Sequence, residues 1–259
     1  MKVPLYHVDA FTSQVFKGNP AAVCPLTEWL DERVLQAVAA ENNLSETAFL
    51  VRKGSSFEIR WFTPTVEVDL CGHATLAAGF VVFNYLEPAG SIVSFSSPSG
   101  PLVVRRDADL FSLDFPSRPP AACLAPPLLT RALGAAPAEI LASRDYLAIY
   151  PKEEDVRSLK PDMSLLKDID RLGVITTAPG SHCDFVSRFF APGAGIPEDP
   201  ATGSSHCTLI PYWSQQLRKQ KLHALQVSAR SGELFCEDRG DRVTISGRAV
   251  LYSEGTLHL

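Results

Sequence analysis

The sequence predicts an α+β protein made of two copies of one module, and three observations carry that prediction. The first is an internal repeat. RWFTP at residues 60–64 returns as RFFAP at 188–192, Gly72 returns as Gly203, and SPSGPLVVRRDAD returns as ARSGELFCEDRGD, pairing Gly100 with Gly232 and Asp109 with Asp241. Blocks that recur in one order at a spacing of roughly 130 residues mark a duplicated unit. The second observation is a change of period within each copy. Strand-like segments rich in aromatic and β-branched residues give way, after the glycine, to runs that are apolar nearly all round. The third is the SGxL segment that opens an alternating apolar run in both halves.

Each element follows from these patterns. SSFEIRWFTP and DFVSRFFAP intersperse polar residues among large apolar ones, as half-buried strands do. HATLAAGFVVFNYL and SSHCTLIPYWSQQL have the length of helices and no polar face, so they are expected to be buried, with Pro211 kinking the second or marking the end of its first turn. The runs LVVRR to LFSLDF and LFCED to RVTISG are expected as hairpins. PSRPPAACLAPP lacks any period and reads as a linker. PKEEDVRSLKPDMSLLKDI is polar and predicts one short outer helix. The expected organisation is a first module over residues 1–116, a linker over 117–127 and a second module over 128–247. The tail at 248–259 has strand character and is expected to return to the first module's sheet.

Composition sets the class and removes several functions. With 46% hydrophobic and 20% charged residues, the 259-residue chain resembles an ordinary globular protein and not a disordered one. A formal net charge of −5 without a basic cluster argues against a nucleic-acid partner. No apolar run of membrane-spanning length occurs, and Pro4, His7 and Asp9 interrupt the N-terminal stretch where a signal peptide needs continuous apolar residues. A cytoplasmic protein with no membrane partner is expected. The six cysteines form no CxxC pair, and a histidine beside a thiol, as in His182–Cys183, is by itself a weak metal signal, so reduced thiols and no bound metal are expected. Nor does a GxGxxG or P-loop pattern appear, so no cofactor is expected.

In both copies a glycine turn leads straight into a buried helix. The free N–H groups of the first helical turn, with the positive end of the macrodipole, suit an anion. Neither turn carries the lysine of a P-loop, so a single carboxylate fits better than a polyphosphate. If the modules face each other across a cleft, both helix ends can meet one ligand. The chemistry-bearing residues nearby are His73, Asp199 and Glu46. His73 follows Gly72 at a helix start, where the dipole favours a neutral ring. Asp199 precedes Gly203 by four residues and can line the same mouth or cap the helix. Glu46, in NNLSETAFLV, leads into an apolar run, where a desolvated carboxylate suits general acid–base work.

Together FKGNPAAVC, NLSETAF, FTPTVEVDLCGHAT and APGAGIPEDPATGSSH resemble the PhzF-like (phenazine biosynthesis-like) isomerase family, which includes mammalian MAWD-binding proteins. The resemblance spans essentially the whole chain. It implies the diaminopimelate epimerase fold: two pseudo-symmetric domains, each a mostly antiparallel sheet round a central buried helix, with the active site in the cleft. It also implies a cofactor-independent isomerisation in which a glutamate moves a proton between carbons of a small amino or hydroxy acid. Carried onto this chain, Glu46 is the acid–base residue, with His73 and Asp199 holding polar groups and assisting proton transfer. Gly72, Gly203 and Ser204 bind the carboxylate, Asn19 and Ser45 complete the pocket, and a homodimer is common among relatives.

Three other readings stand beside this one. A binding or scaffold protein would keep the cleft without turnover. An epimerase or racemase of this fold would use two opposed thiols, for which Cys71 has no counterpart near Asp199, Cys207 lying a full turn into the helix. A serine hydrolase would use Ser204 or Ser205 with His206, although GxSxG is missing.

Overall fold

The computed structural model describes all residues, 1–259. Contact density divides the chain into one unit of residues 1–114 with 246–259 and a second of residues 115–245.

The first unit contains strands β1 (Lys2–Ala10) and β2 (Asn19–Leu26), helix α1 (Glu32–Asn42), strands β3 (Glu46–Lys53), β4 (Ser56–Phe62) and β5 (Glu67–Val68), and helix α2 (Gly72–Val81). Strands β6 (Ile92–Ser97), β7 (Gly100–Asp107) and β8 (Leu110–Pro116) follow. Pairing runs β1–β2–β3–β4–β6–β7–β8, antiparallel except for β2–β3 and β4–β6. Each parallel pair is joined by a helix, α1 for the first and α2 for the second, as a crossover between parallel strands requires. The last strand of the chain, residues 249–258, pairs antiparallel with β1 from Lys2↔His258 to Ala10↔Ala249.

Local chemistry sets the two helices differently. Helix α1 starts where the Asp31 side chain accepts from the Arg33 N–H at 2.9 Å, and it ends at Asn43 in the left-handed region, φ 49°. It buries Leu35, Val38 and Ala39 on one stripe, against Val3, Cys24, Phe49 and Phe62. Helix α2 is buried nearly all round and touches β1, β2, β3 and β7, so its sequence carries no polar face. Gly79 costs α2 some intrinsic helix propensity, but a Cβ there would sit 2.7 Å from the Val104 side chain, so glycine lets the helix lie close on β7. Beyond Val81 the helix widens into a π turn, Val82–Leu86.

The second unit repeats this order. Its elements are β9 (Ala121–Ala122), α3 (Pro127–Leu133), β10 (Glu139–Ala142), β11 (Tyr146–Ile149), α4 (Glu153–Ser158), α5 (Met163–Leu166), β12 (Val174–Pro179), β13 (Phe185–Ala191) and β14 (Ile196–Asp199). They continue with α6 (Gly203–Leu217), β15 (Lys221–Gln226), β16 (Gly232–Asp238) and β17 (Arg242–Gly247), and β18 (Ala249–His258) is the strand already placed on β1. Here β11–β12 and β13–β15 are the parallel pairs, the second again bridged by the buried helix, α6. The equivalence of β4–α2–β6 with β13–α6–β15 is the repeat seen in the sequence, expressed as topology.

Two expectations differ in detail. The polar outer segment forms two short helices, α4 and α5, because Asp162 accepts from the Ser164 and Leu165 N–H groups and starts a second one. The Pro-rich stretch is hydrogen-bonded within the second unit: Ser117 N–H donates to Asp241 C=O and Arg118 N–H to Cys207 C=O, both at 2.9 Å, and β9 pairs with β10. The Arg118 bond also explains how Pro211 sits inside α6. Proline has no N–H for the carbonyl four residues back, which is that of Cys207, and Arg118 supplies the missing donor.

Candidate active site

In the first unit the site forms at the beginnings of β2, β3 and α2, which bring together residues far apart in sequence. Gly18 adopts φ +62°, and a Cβ there would overlap the Ala10 carbonyl oxygen, so glycine is required in the turn that delivers Asn19 to the start of β2. Strand β3 lies parallel to β2 with Ala21 opposite Glu46, and Asn42 at the end of α1 donates to Thr47 Oγ1 at 3.1 Å. That fixes Glu46 as the first residue of its strand. Cys71, with extended backbone and no side-chain cap, precedes Gly72 and His73 in the first turn of α2.

The side chains converge on the His73 ring. Glu46 Oε2 lies 3.0 Å from His73 Nε2, and on the other side Asn19 Nδ2 lies 3.1 Å from Nδ1. Ser45 Oγ donates to Asn19 Oδ1 at 3.2 Å, and Cys71 Sγ stands 3.5 Å from His73 Nδ1. Exposure is 8% for Glu46, 5% for His73, 6% for Cys71 and 0% for Asn19, so the cluster is desolvated. Apart from this ring contact, Glu46 Oε2 is a buried oxygen that receives no donor.

Electrostatics here depart from the expectation of a neutral His73. Burial pulls its pKa down, but the contacts with Cys71 and Glu46 outweigh burial and raise it well above 6.5. Burial and the Glu46 charge push Cys71 up to about 11, so near neutral pH it is a thiol. The dipole argument considered α2 alone and missed a carboxylate arriving on β3. Asn19 and Ser45, expected as pocket walls, stand behind the ring. An amide and a hydroxyl can each donate or accept, so turning the Asn19 amide serves either the neutral or the protonated imidazole.

In the second unit Asp199 ends β14 and is 8% exposed. Its Oδ2 accepts from the Thr202 hydroxyl. Thr202, not Asp199, is the N-cap residue of α6, and it makes no side-chain cap bond. Gln226, fully buried, accepts from Thr202 N–H at 2.8 Å and donates to Asp199 C=O at 2.7 Å and Thr202 Oγ1 at 3.0 Å. Sequence reasoning missed this residue, although a glutamine on the buried phase of β15, in line with Leu222 and Ala224, is a readable signal. It also missed Arg144, whose Nη2 donates to Ser204 Oγ at 3.0 Å while pairing with Asp145 at 3.0 Å. Gly203 and Ser204 occupy the first turn of α6, as Gly72 and His73 do in α2.

The geometry weighs against the hydrolase reading. Ser205 Oγ lies 3.3 Å from His206 Nδ1, but it donates to Thr202 C=O at 2.9 Å, and His206 Nδ1 is closer, at 2.8 Å, to the same carbonyl. His206 is fully buried, and burial lowers its pKa to about 4. For the two-thiol alternative, burial pushes Cys207 up to about 11 as well, so neither it nor Cys71 is readily ionised near neutral pH. The ligand-type side chains that do cluster are Glu46, Cys71 and His73, whereas the sequence had pointed only to His182–Cys183. No helix is long and apolar enough to cross a membrane.

Comparison with known proteins places this geometry in context. Residues 8–255 match the family described as phenazine biosynthesis-like protein. An uncharacterized isomerase of Pseudomonas aeruginosa is 51% identical over 259 residues, covering 100% of both chains. The human phenazine biosynthesis-like domain-containing protein is 40% identical over 99% of both. A crystal structure of a phenazine biosynthesis protein of the PhzF family from Enterococcus faecalis superposes with a TM-score of 0.98 at 49% identity, covering 100% of each chain.

Proposed function

The chain belongs to the phenazine biosynthesis-like family, and from that premise we propose that it is an isomerase that moves a proton between carbons of a small carboxylate-bearing amino or hydroxy acid, with Glu46 as the acid–base residue. The observation that carries this reading is the buried Glu46 Oε2, which has no hydrogen-bond donor and sits 3.0 Å from His73 Nε2 at the start of a buried helix. The isomerase name of the 51% identical relative supports the reaction class.

In the proposed reaction Glu46 takes a proton from a substrate carbon activated by a neighbouring unsaturated or carbonyl group. The electron pair of that C–H bond shifts into the conjugated system, the proton held on Glu46 exchanges with solvent, and Glu46 delivers a proton to a different carbon and ends as it began. Abstracting a carbon-bound proton is slow unless the developing negative charge is stabilised. His73, with its raised pKa, and the uncapped first turn of α2 at Gly72 are suited to that. Asn19 and Ser45 hold the ring in register and follow its change of protonation. In the second unit Asp199 keeps the role of holding a polar group and assisting proton transfer, Gly203 and Ser204 that of binding a carboxylate, and Arg144 on the Ser204 hydroxyl adds a cation suited to one. The test is deuterium incorporation from solvent into candidate acids, with wild type beside Glu46→Gln.

A further inference from the structure

The Glu46, Cys71 and His73 cluster has the makings of a second chemistry. One nitrogen, one sulfur and one carboxylate oxygen lie within 4.8 Å of one another, on residues that are all more than nine-tenths buried. His73 Nε2 is 3.0 Å from Glu46 Oε2 and 4.0 Å from Cys71 Sγ. Around a tetrahedral zinc ion, with Zn–S about 2.3 Å and Zn–N and Zn–O about 2.0–2.2 Å, neighbouring ligand atoms stand roughly 3.3–3.6 Å apart. The Glu46 oxygen and Cys71 Sγ lie within 4.8 Å, so side-chain shifts of about an ångström bring the three onto one centre.

Two further features point the same way. Apart from the ring contact, Glu46 Oε2 is a buried oxygen with no donor, and a cation would satisfy it. Behind the ring, the Asn19–Ser45 pair can accept from Nδ1–H once the amide is turned, which frees Nε2 as a ligand. That is the outer support metal-bound histidines usually have. The positive end of α2 opposes a cation, but a thiolate and a carboxylate together supply two negative charges against the two of the ion. A mixed sulfur, imidazole and carboxylate set favours zinc over the hard cations magnesium and calcium.

We propose that Cys71, His73 and Glu46 form a binding site for one Zn²⁺, with the fourth position open, and that the bound ion reversibly silences the Glu46 carboxylate. On binding, the Zn–S bond forms as the thiol proton leaves to solvent, so affinity rises with pH. Metal binding rests on the cluster alone, and only the silencing rests on the isomerase reading.

The test titrates metal-stripped protein with Co²⁺ and then Zn²⁺ against a chromophoric chelator. Wild type, Cys71→Ser, His73→Gln and, as a control at a buried thiol elsewhere, Cys24→Ser are compared, with folding followed by circular dichroism. The expected result is one equivalent bound and a thiolate-to-cobalt charge-transfer band in wild type and Cys24→Ser. The band should be absent in Cys71→Ser, and affinity at least about tenfold weaker in both site variants. Wild type that takes up no stoichiometric metal, or shows no thiolate band, overturns the site, and that reading needs no variant to fold. Equal affinity in Cys71→Ser also overturns it. Proton exchange lost in Glu46→Gln but unaffected by Zn²⁺ in wild type would overturn the silencing while leaving the isomerase reading intact.

Discussion

Glu46 Oε2 lies 3.0 Å from His73 Nε2, joining the first residue of a strand to the first turn of a helix through a contact shielded from water. The pair sets the titration of the histidine. Burial works to lower the His73 pKa, but the contacts with Cys71 and Glu46 outweigh it, and the folded-state value stands well above 6.5. A group with a raised folded-state pKa stabilises the fold fully below its unfolded value, about 6.5 for histidine, and loses that contribution as pH rises through the folded value. The melting-temperature gap between wild type and His73→Gln should therefore be widest at and below about pH 6 and narrow as pH rises above it. A gap that widens with pH contradicts the assignment.

Gln226 holds the Asp199 turn by three bonds, to Thr202 N–H, Thr202 Oγ1 and Asp199 C=O. Gln226→Leu leaves buried backbone groups unpaired, at about 1–3 kcal/mol each, so a loss of about 2–4 kcal/mol in urea unfolding is expected. A loss under about 0.5 kcal/mol, the scale of an ordinary surface change, would show that the bonds are dispensable.

The Arg118 N–H replaces the donor that Pro211 lacks, so the two positions should be coupled. Arg118→Pro is expected to cost about 1–3 kcal/mol in the Pro211 background by stranding the Cys207 carbonyl. In Pro211→Ala, Ala supplies its own N–H to that carbonyl, and the same change should cost much less. Equal costs in both backgrounds would assign the loss to backbone strain at residue 118.

Much of the fold was legible because it is written in periods. The repeat of RWFTP in RFFAP marks β4 and β13, and the all-round apolar runs after Gly72 and Gly203 mark the helices that cross between parallel strands. Glu46 and His73 were readable from motifs, but their contact was not, since it spans from β3 to α2. The contacts of Asn19 were hidden for the same reason: its partners are 26 and 54 residues away. Arg118 acts through a backbone N–H, which no side-chain pattern reveals. Gln226 differs, because a polar residue on the inward phase of β15 is visible in the alternation itself.

Glu46 is proposed to move a proton between substrate carbons, and proton–deuteron exchange followed by NMR reads out that step. Wild type and Glu46→Gln would be incubated in D2O with a panel of unsaturated amino and hydroxy acids. General acid–base groups contribute about 10²–10⁴-fold. The account predicts that deuterium enters a carbon position of at least one acid with wild type, and at least about 100-fold more slowly with a folded Glu46→Gln protein. Exchange at the wild-type rate in Glu46→Gln would contradict it.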